Sequence, residues 1–455
     1  MEKADIELEG KDIIGHTVKF LVDCKENGEI LDNQVPPSIY IVPSAFRDLS
    51  PSSFNPRVVS IGPLHKQDEN LKGFEVQKKS YLHNLLQRCV PKQTLQDEHS
   101  VAIKQMLQEC AEKVTRSIQR IKASYGGLTT CSDFELAEMM VIDGCFILEF
   151  GARLLELSSK SNKLITQSIM FDLMLIENQI PFFVLENIFE CTLLKSIPNA
   201  SLTTYIQEIL KYYSYIFVGN LVAPNVSSDS THDHLLGLLH KNYQPSKPIQ
   251  AMFLPDPKGH SAMDLYRAGI NFKPNEDQDW GLAMKLEVPS PLFSWIPIFM
   301  AIPQIPWLQW PTLKMPIMRI NDSTELILRN LIIYEQFSNV GKYITSYVCA
   351  MDLLIDTPQD VARLVKSKVL INHLGSNDHA ANMINNICKE VLLLEFVYHE
   401  QWKDLDAYYN RYWPYTISGL RRTYFKNPWN IIALIAAFVL FALTVVQTIF
   451  TVNPK

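Results

Sequence analysis

Apolar residues recur three and four positions apart along most of this chain, the spacing of helices with one buried face, and prolines or glycines interrupt the runs. From about Phe74 to Ala123 the pattern predicts two amphipathic helices, carried by Tyr81, Leu82, Leu85 and Leu86 and then by Val101, Met106, Val114, Ile118 and Ile121. Gly126 and Gly127 close that run. The stretch CSDFELAEMMVIDGCFILEFGARLL predicts a further helix with Ser132 as its N-cap and acidic residues in its first turn. Its stripe runs through Leu136, Met140, Ile147, Phe150 and Leu154, and Asp143 falls on the same stripe. A carboxylate carried inward in this way needs a partner.

The next pattern, about Gln167 to Glu190, is apolar nearly all round and predicts a central helix interrupted by Asp172, Glu177, Asn178, Gln179 and Pro181. Proline donates no backbone bond and its ring collides with the carbonyl four residues back, here that of Glu177, so a kink at Pro181 is expected. Polar side chains beside such a kink can satisfy freed backbone groups or reach a basic partner, for which Arg47 and Arg329 are the candidates.

Outside these helices the period is broken. Prolines 43, 51, 56 and 63 predict a capping loop with short strands, while HSAMDLYRAGINFKP reads as a helix, a glycine stop and a strand, and AMKLEVP as a second strand. Helical spacing resumes in TELILRNLIIYEQF, where Glu335 and Gln336 sit among apolar neighbours, and DTPQDVARLVKSKVL has a clear start at Thr357, Pro358 and Asp360. One long helix is expected from about Ala380 to Trp402. The fold class is mainly α: a multi-helical body with a small β element near the middle and a C-terminal single transmembrane helix.

That last element rests on Trp429 to Val452, WNIIALIAAFVLFALTVVQTIFTV, whose 24 residues include no charge. At about 1.5 Å per residue they cover a hydrocarbon layer of roughly 30 Å with some tilt. Arg421, Arg422, Lys426 and Trp429 flank it on one side and only Lys455 on the other, which predicts a single-pass tail anchor with a cytosolic body in the plasma membrane or an endomembrane. The N-terminus is too acidic and interrupted for a signal peptide. The expected organisation is a peripheral arm over 1–35, a helical domain over 36–425, the span over 429–452 and a tail over 453–455. Within the domain, SPLFSWIPIFMAIPQIPWLQWPTLKMP forms an apolar Pro/Trp-rich insertion at about 289–311. Its prolines break it too often for a membrane helix. It is either interfacial, buried or a translated intron.

Composition narrows the function. A net charge of -6 without a basic stretch in the body argues against a nucleic-acid partner. The eight cysteines are scattered singly, with no metal-ligand spacing, and read as reduced thiols. His232 and His234 are two residues apart and do not share a helix face, so with His240 they make no metal site. No metal and no cofactor is expected.

Several segments together resemble one plant family, domain of unknown function 247, also called uncharacterised protein family 0481. They are IYIVPSAFR, VVSIGPLHK, MMVIDGCFILE, DLMLIENQIPFFVLE, HSAMDLYRAGINFK, DSTELILRNLIIYEQ, YVCAMDLLIDTPQDVARL and LRRTYFKNPWNIIALIAAFVLFALTVVQT. The insertion departs from the family pattern. The resemblance implies a membrane-associated, mostly helical plant protein without an established reaction, some relatives acting in self/non-self recognition in grass pollination and in reproductive development. It supplies no catalytic residues.

The expected function is therefore a membrane-tethered interaction or recognition module, with lipid and a protein as partners. The rival is a tethered hydrolase or transferase in which Asp143, Asp172, Glu177 and Glu335 form a carboxylate cluster. The two differ spatially, because an enzyme needs these groups converging on an open pocket. A structural role pairs each of them inward, as Asn178, Gln179, Arg329 and Gln336 would also be paired.

Overall fold

The computed structural model describes residues 37–452 apart from 92–95, 127–130, 157–161, 214–216, 219–231, 250–251, 253–258, 276–279, 289–310 and 411–427. The predicted arm, nearly all of the insertion, the flanking Arg421, Arg422 and Lys426, and the tail lie outside these residues, as does the side chain of Trp429.

Helices α1 (Ser44–Leu49), α2 (Lys72–Cys89), α3 (Gln96–Arg116), α4 (Ile118–Ala123) and α5 (Asp133–Leu155) form the first half of the body. The start of α5 is the predicted capping box: Ser132 Oγ accepts the Glu135 N–H, and the Glu135 carboxylate accepts the Ser132 N–H. From Met139 to Ala152 nearly every side chain of α5 is buried, because α2 and α3 pack on one side and the following helices on the other. The proline-rich segment before α2 contains no paired strand of its own. It runs irregularly over the core, touching Tyr125 through a single bridge at Ile39.

The expected long helix with a kink is two helices. α6 (Lys163–Asp172) stops at Asp172, residues 173–181 form a buried irregular turn, and α7 (Phe182–Cys191) begins just after Pro181. Pro181 sits at the N-cap with φ -58° and ψ 139°, so it starts a helix instead of bending one. The reason is local: a proline at the head of a helix removes a donor that has no intrahelical partner anyway, whereas in mid-helix it costs about 3 kcal/mol. Helices α8 (Leu193–Ser196), α9 (Leu202–Leu210), α10 (Leu235–Lys241) and α11 (Ala262–Arg267) follow.

Two three-stranded sheets lie in the middle, more β structure than the pattern predicted. Strands β2 (Asn271–Pro274), β3 (Lys285–Glu287) and β4 (Thr312–Met315) form one in the order β2-β4-β3; β1 (Phe217–Val218), β5 (Ile317–Ile320) and β6 (Leu370–Asn372) form the other in the order β1-β5-β6. The predicted helix, glycine stop and strand appear as α11, Gly269 at φ 96° and β2. Only Pro316 separates β4 from β5, so one chain segment passes from the first sheet to the second. Glu287 pairs directly with Thr312, so residues on either side of the apolar insertion are antiparallel neighbours.

The second helical half comprises α12 (Thr324–Phe337), α13 (Tyr343–Leu354), α14 (Pro358–Lys366), α15 (Asn377–Ile387) and α16 (His399–Tyr409). The start of α14 is as read from sequence, with the Asp360 carboxylate accepting both the Thr357 N–H and its hydroxyl; its other oxygen accepts the Met263 N–H. The single helix expected over Ala380 to Trp402 is broken between α15 and α16. Glu390 adopts φ 62°, a left-handed conformation that no helix continues through.

One hydrophobic core runs from Ile39 to Tyr408 and joins both halves. Beyond it, α17 (Pro428–Val452) is a 25-residue helix without a charged residue, and its described side chains, such as Leu440, Phe441 and Leu443, are exposed. Among the described residues no helix is long and apolar enough to cross a membrane, several side chains of α17 falling outside that description. The predicted span is thus not established by the fold.

Candidate functional site

The polar residues that interrupt the greasy pattern act on the backbone of residues 38–66. Apart from the short helix α1, the turn at Pro51–Ser53 and the bridge at Ile39, that segment has no helix or strand ladder, and a buried N–H or C=O without a partner costs about 1–3 kcal/mol. Side chains from the core replace the missing ladder. Glu177 Oε1 accepts the Val42 N–H at 2.5 Å. Asp172 accepts the N–H groups of Arg57, Val58 and Val59 at 2.7–2.9 Å. Asn178 accepts from Ile61 N at 2.7 Å and donates to the carbonyls of Val59 and Asp172 at 3.0 Å. Asp143 accepts the Gly62 N–H at 2.8 Å, and Asn330 donates to the Ser53 carbonyl at 2.7 Å. Gln179 closes its own turn by donating to the carbonyls of Leu173 and Leu175.

Gly62 is where this segment comes closest to the turn. Its φ is 72°, and a Cβ there would stand 2.7 Å from the Gln179 carbonyl oxygen, so no other residue fits without displacement.

The four candidate carboxylates have four separate sets of partners. Asp143 takes Lys78, whose Nζ also reaches the Glu75 carboxylate and the Ser60 carbonyl, all at 2.6–2.8 Å. Three acceptors for three protons is the satisfied state of an ammonium group. Asp143 and Glu75 hold the Lys78 pKa above its ordinary value against the opposing effect of burial. Burial pushes the Asp143 and Asp172 carboxyls up, with backbone donors countering it in both.

Glu335 accepts four hydrogen bonds at 2.6–2.8 Å, from His240 Nε2, the Ile344 and Thr345 N–H groups and the Thr345 hydroxyl. It therefore caps the first turn of α13 from within α12. Arg329 does not reach Glu177; it pairs with Glu325 at 2.8 Å and donates to the Asn386 carbonyl. Gln336 is only half-buried and does not belong to the polar core. His232, His234 and His240 diverge: His234 accepts the Gly237 N–H as the α10 cap and contacts the Ser38 carbonyl, and burial lowers its pKa to about 4, the state of a neutral ring. Among the described residues no group of three or more His, Cys, Asp or Glu side chains is arranged to hold a metal ion.

Of the four carboxylates, Glu177 lines a cleft of about 600 Å³ bordered by Ile41, Arg47, Asn55, His65 and Asp68. The Arg47 guanidinium bonds Glu177 Oε1 and Asn55, while His65 contacts Glu177 through Nε2 at 3.0 Å and Asp68 through Nδ1 at 2.9 Å. Burial works against the charged ring, but the two carboxylates outweigh it and raise the His65 pKa above its ordinary 6.5. Burial likewise raises the Glu177 carboxyl, but His65, Arg47 and the Val42 N–H outweigh it and leave its pKa below 4.5. Both imidazole nitrogens are engaged by carboxylates, so the ring is placed to hold a proton and not to abstract one.

Stability from His65 is fully present below its unfolded pKa of 6.5 and is lost as pH rises through the higher folded value. Stability from Glu177 is present above 4.5 and is lost as pH falls through its depressed folded value. Melting temperatures recorded from about pH 5 to 9 are expected to fall on the alkaline side in the native protein and to fall less in His65→Gln. Parallel curves would assign the slope to other groups.

Glu177 and Arg47 are expected from the sequence, whereas Lys78, His65 and Asn330 enter the site only with the structure. For Lys78 the signal existed: it lies four residues after Phe74 and seven before Leu85, on the buried stripe of α2. His65 sits in GPLH, which reads only as a turn.

The clamped segment and the helical body together fall within the sequence pattern of a plant protein family of unknown function. The chain belongs to this family, DUF247, whose pattern matches residues 39–443. UPF0481 protein At3g47200 of Arabidopsis thaliana is 25% identical over 451 aligned residues, covering 90% of this chain and 85% of that protein. Putative UPF0481 protein At3g02645 of the same plant is 28% identical over 189 residues, 41% of this chain and 32% of the other. No solved structure matches the chain.

Proposed function

We propose that this protein is a non-catalytic interaction module held at a membrane by its C-terminal helix. The observation that carries this reading is the closure of Asp143, Asp172, Glu177 and Glu335 on separate partners. A hydrolase or transferase built on these groups needs at least one carboxylate free to exchange a proton beside a second reactive group. Glu177 alone reaches the cleft, and it is already bonded by Arg47, His65 and Val42. The anchor is supported by the 25 uncharged residues of α17 and its exposed apolar side chains, and the basic Arg421, Arg422 and Lys426 beside it favour a cytosolic body. The partner of the body is a protein, and the plant family leaves a role in recognition or development as the natural setting.

The test is fractionation of plant cells expressing the full chain. Alkaline carbonate is expected to leave the protein in the membrane pellet and detergent to release it. A variant with Leu440, Phe441 and Leu443 all changed to Asp is expected in the soluble fraction. Release of the native chain by carbonate overturns the anchor, and turnover of any ester or glycoside substrate that Glu177→Gln abolishes without loss of folding overturns the non-catalytic reading.

A further inference from the structure

The second helical half brings two cysteines together that lie 39 residues apart in the chain. Cys349 is on α13 and Cys388 is the C-cap of α15, and their sulfur atoms are 3.6 Å apart. A disulfide bond is about 2.05 Å long, so closure needs the sulfurs to approach by roughly 1.5 Å, within reach of side-chain rotation and a small backbone shift. Cys349 is 9% exposed and Cys388 is half-buried, so a small oxidant has access to the pair while a large one does not.

We propose that Cys349 and Cys388 are an oxidation site that forms a reversible intramolecular disulfide on contact with a peroxide. Cys388 donates its S–H to the Cys349 sulfur, which makes Cys349 the sulfur that attacks. That hydrogen bond and burial push the Cys388 thiol up, so it keeps its proton until the second step. In the first step the Cys349 thiol attacks one peroxide oxygen; the O–O bond breaks, Cys349 becomes a sulfenic acid and one water leaves. In the second, Cys388 attacks the Cys349 sulfur, the S–O bond breaks, a second water leaves and the S–S bond forms. Two thiols are oxidised by two electrons and one peroxide is reduced to two waters. A dithiol reductant reverses the change.

The crosslink has a mechanical effect. It ties α13 to the end of α15, just before the left-handed Glu390 that starts the path to α16. Among the described residues a second cysteine pair is in contact, Cys110 on α3 with Cys191 on α7, both almost wholly buried. The Cys110 hydrogen bond lowers the Cys191 thiol to about 7, but both side chains are shielded from solvent and are expected to react later than the more accessible Cys349 and Cys388.

Purified full-length protein in detergent, treated with graded hydrogen peroxide, acid-quenched, alkylated after unfolding and digested, reads this directly by mass spectrometry. The expected result is a crosslinked peptide joining Cys349 to Cys388 at the lowest effective dose, its disappearance with dithiothreitol, and a higher melting temperature for the oxidised protein. In Cys388→Ser, Cys349 is expected to accumulate as a dimedone-reactive sulfenic acid; should that variant not fold, the map of the native chain decides alone. Recovery of Cys349 and Cys388 as separately alkylated or over-oxidised peptides, or a crosslink confined to Cys110 and Cys191, overturns the proposal.

Discussion

Lys78→Met is expected to lower the free energy of unfolding by about 3–5 kcal/mol, because it leaves the Asp143 carboxylate buried without its cation. Asp143 is 0% exposed and would retain only the Gly62 N–H, while the Ser60 carbonyl would lose its donor. Without Lys78 nothing but the Gly62 N–H counters burial, so Asp143 protonates on folding and the variant becomes more stable as pH falls through the raised carboxyl pKa. Adding Asp143→Asn to Lys78→Met removes the buried charge and is expected to recover part of the loss. Chemical denaturation of the two single variants and the double variant gives the coupling. A loss of under about 0.5 kcal/mol in Lys78→Met, the range of an ordinary surface change, would show that the pair is not the clamp described.

The second large effect is at Glu335. Glu335→Ala removes the acceptor of four buried hydrogen bonds and strands His240, two N–H groups of the first turn of α13 and the Thr345 hydroxyl. At about 1–3 kcal/mol for each buried group left unsatisfied, with relaxation reducing the sum, a loss of about 3–5 kcal/mol is expected. Glu335→Gln keeps one acceptor but turns an amide NH2 towards other donors, so it falls between the native protein and Glu335→Ala. Native-state hydrogen exchange localises the effect: the amides of Ile344 and Thr345 should lose protection first. If the α13 amides exchange as in the native protein, Glu335 is not the cap of that helix.

Both predictions rest on the same design. The segment 38–66 and the α12 to α13 turn have backbone groups that no neighbouring helix or strand can satisfy, and the core supplies side chains for them. This explains why a chain so apolar places Glu177, Asn178 and Gln179 in a row: the turn they occupy and the segment above it would otherwise bury bare donors and acceptors.

The elements of this fold differ in how plainly the sequence announces them. The capping residues Ser132 and Thr357, the inward carboxylate at Asp143 and the α11-to-β2 turn follow from local chemistry, since a cap or an amphipathic stripe is a contact among residues three or four apart. Pro181 marked a discontinuity correctly but not its kind, because a proline that starts one helix and a proline that kinks a longer one look alike in sequence. The break after α15 turns on the backbone angle of Glu390, which its side chain does not announce.

By itself, then, the sequence determined the helical class, the positions where polar groups must enter the core and the uncharged C-terminal stretch, all of which depend on short-range spacing and transfer of side chains from water. Only the tertiary structure decided which partner each buried charge takes. Lys78 meets Asp143 across 65 residues, Arg47 meets Glu177 across 130 and Asn330 meets Ser53 across 277, and such pairings are set by how the whole chain packs. A buried charge states that a partner exists; the geometry of the fold names it.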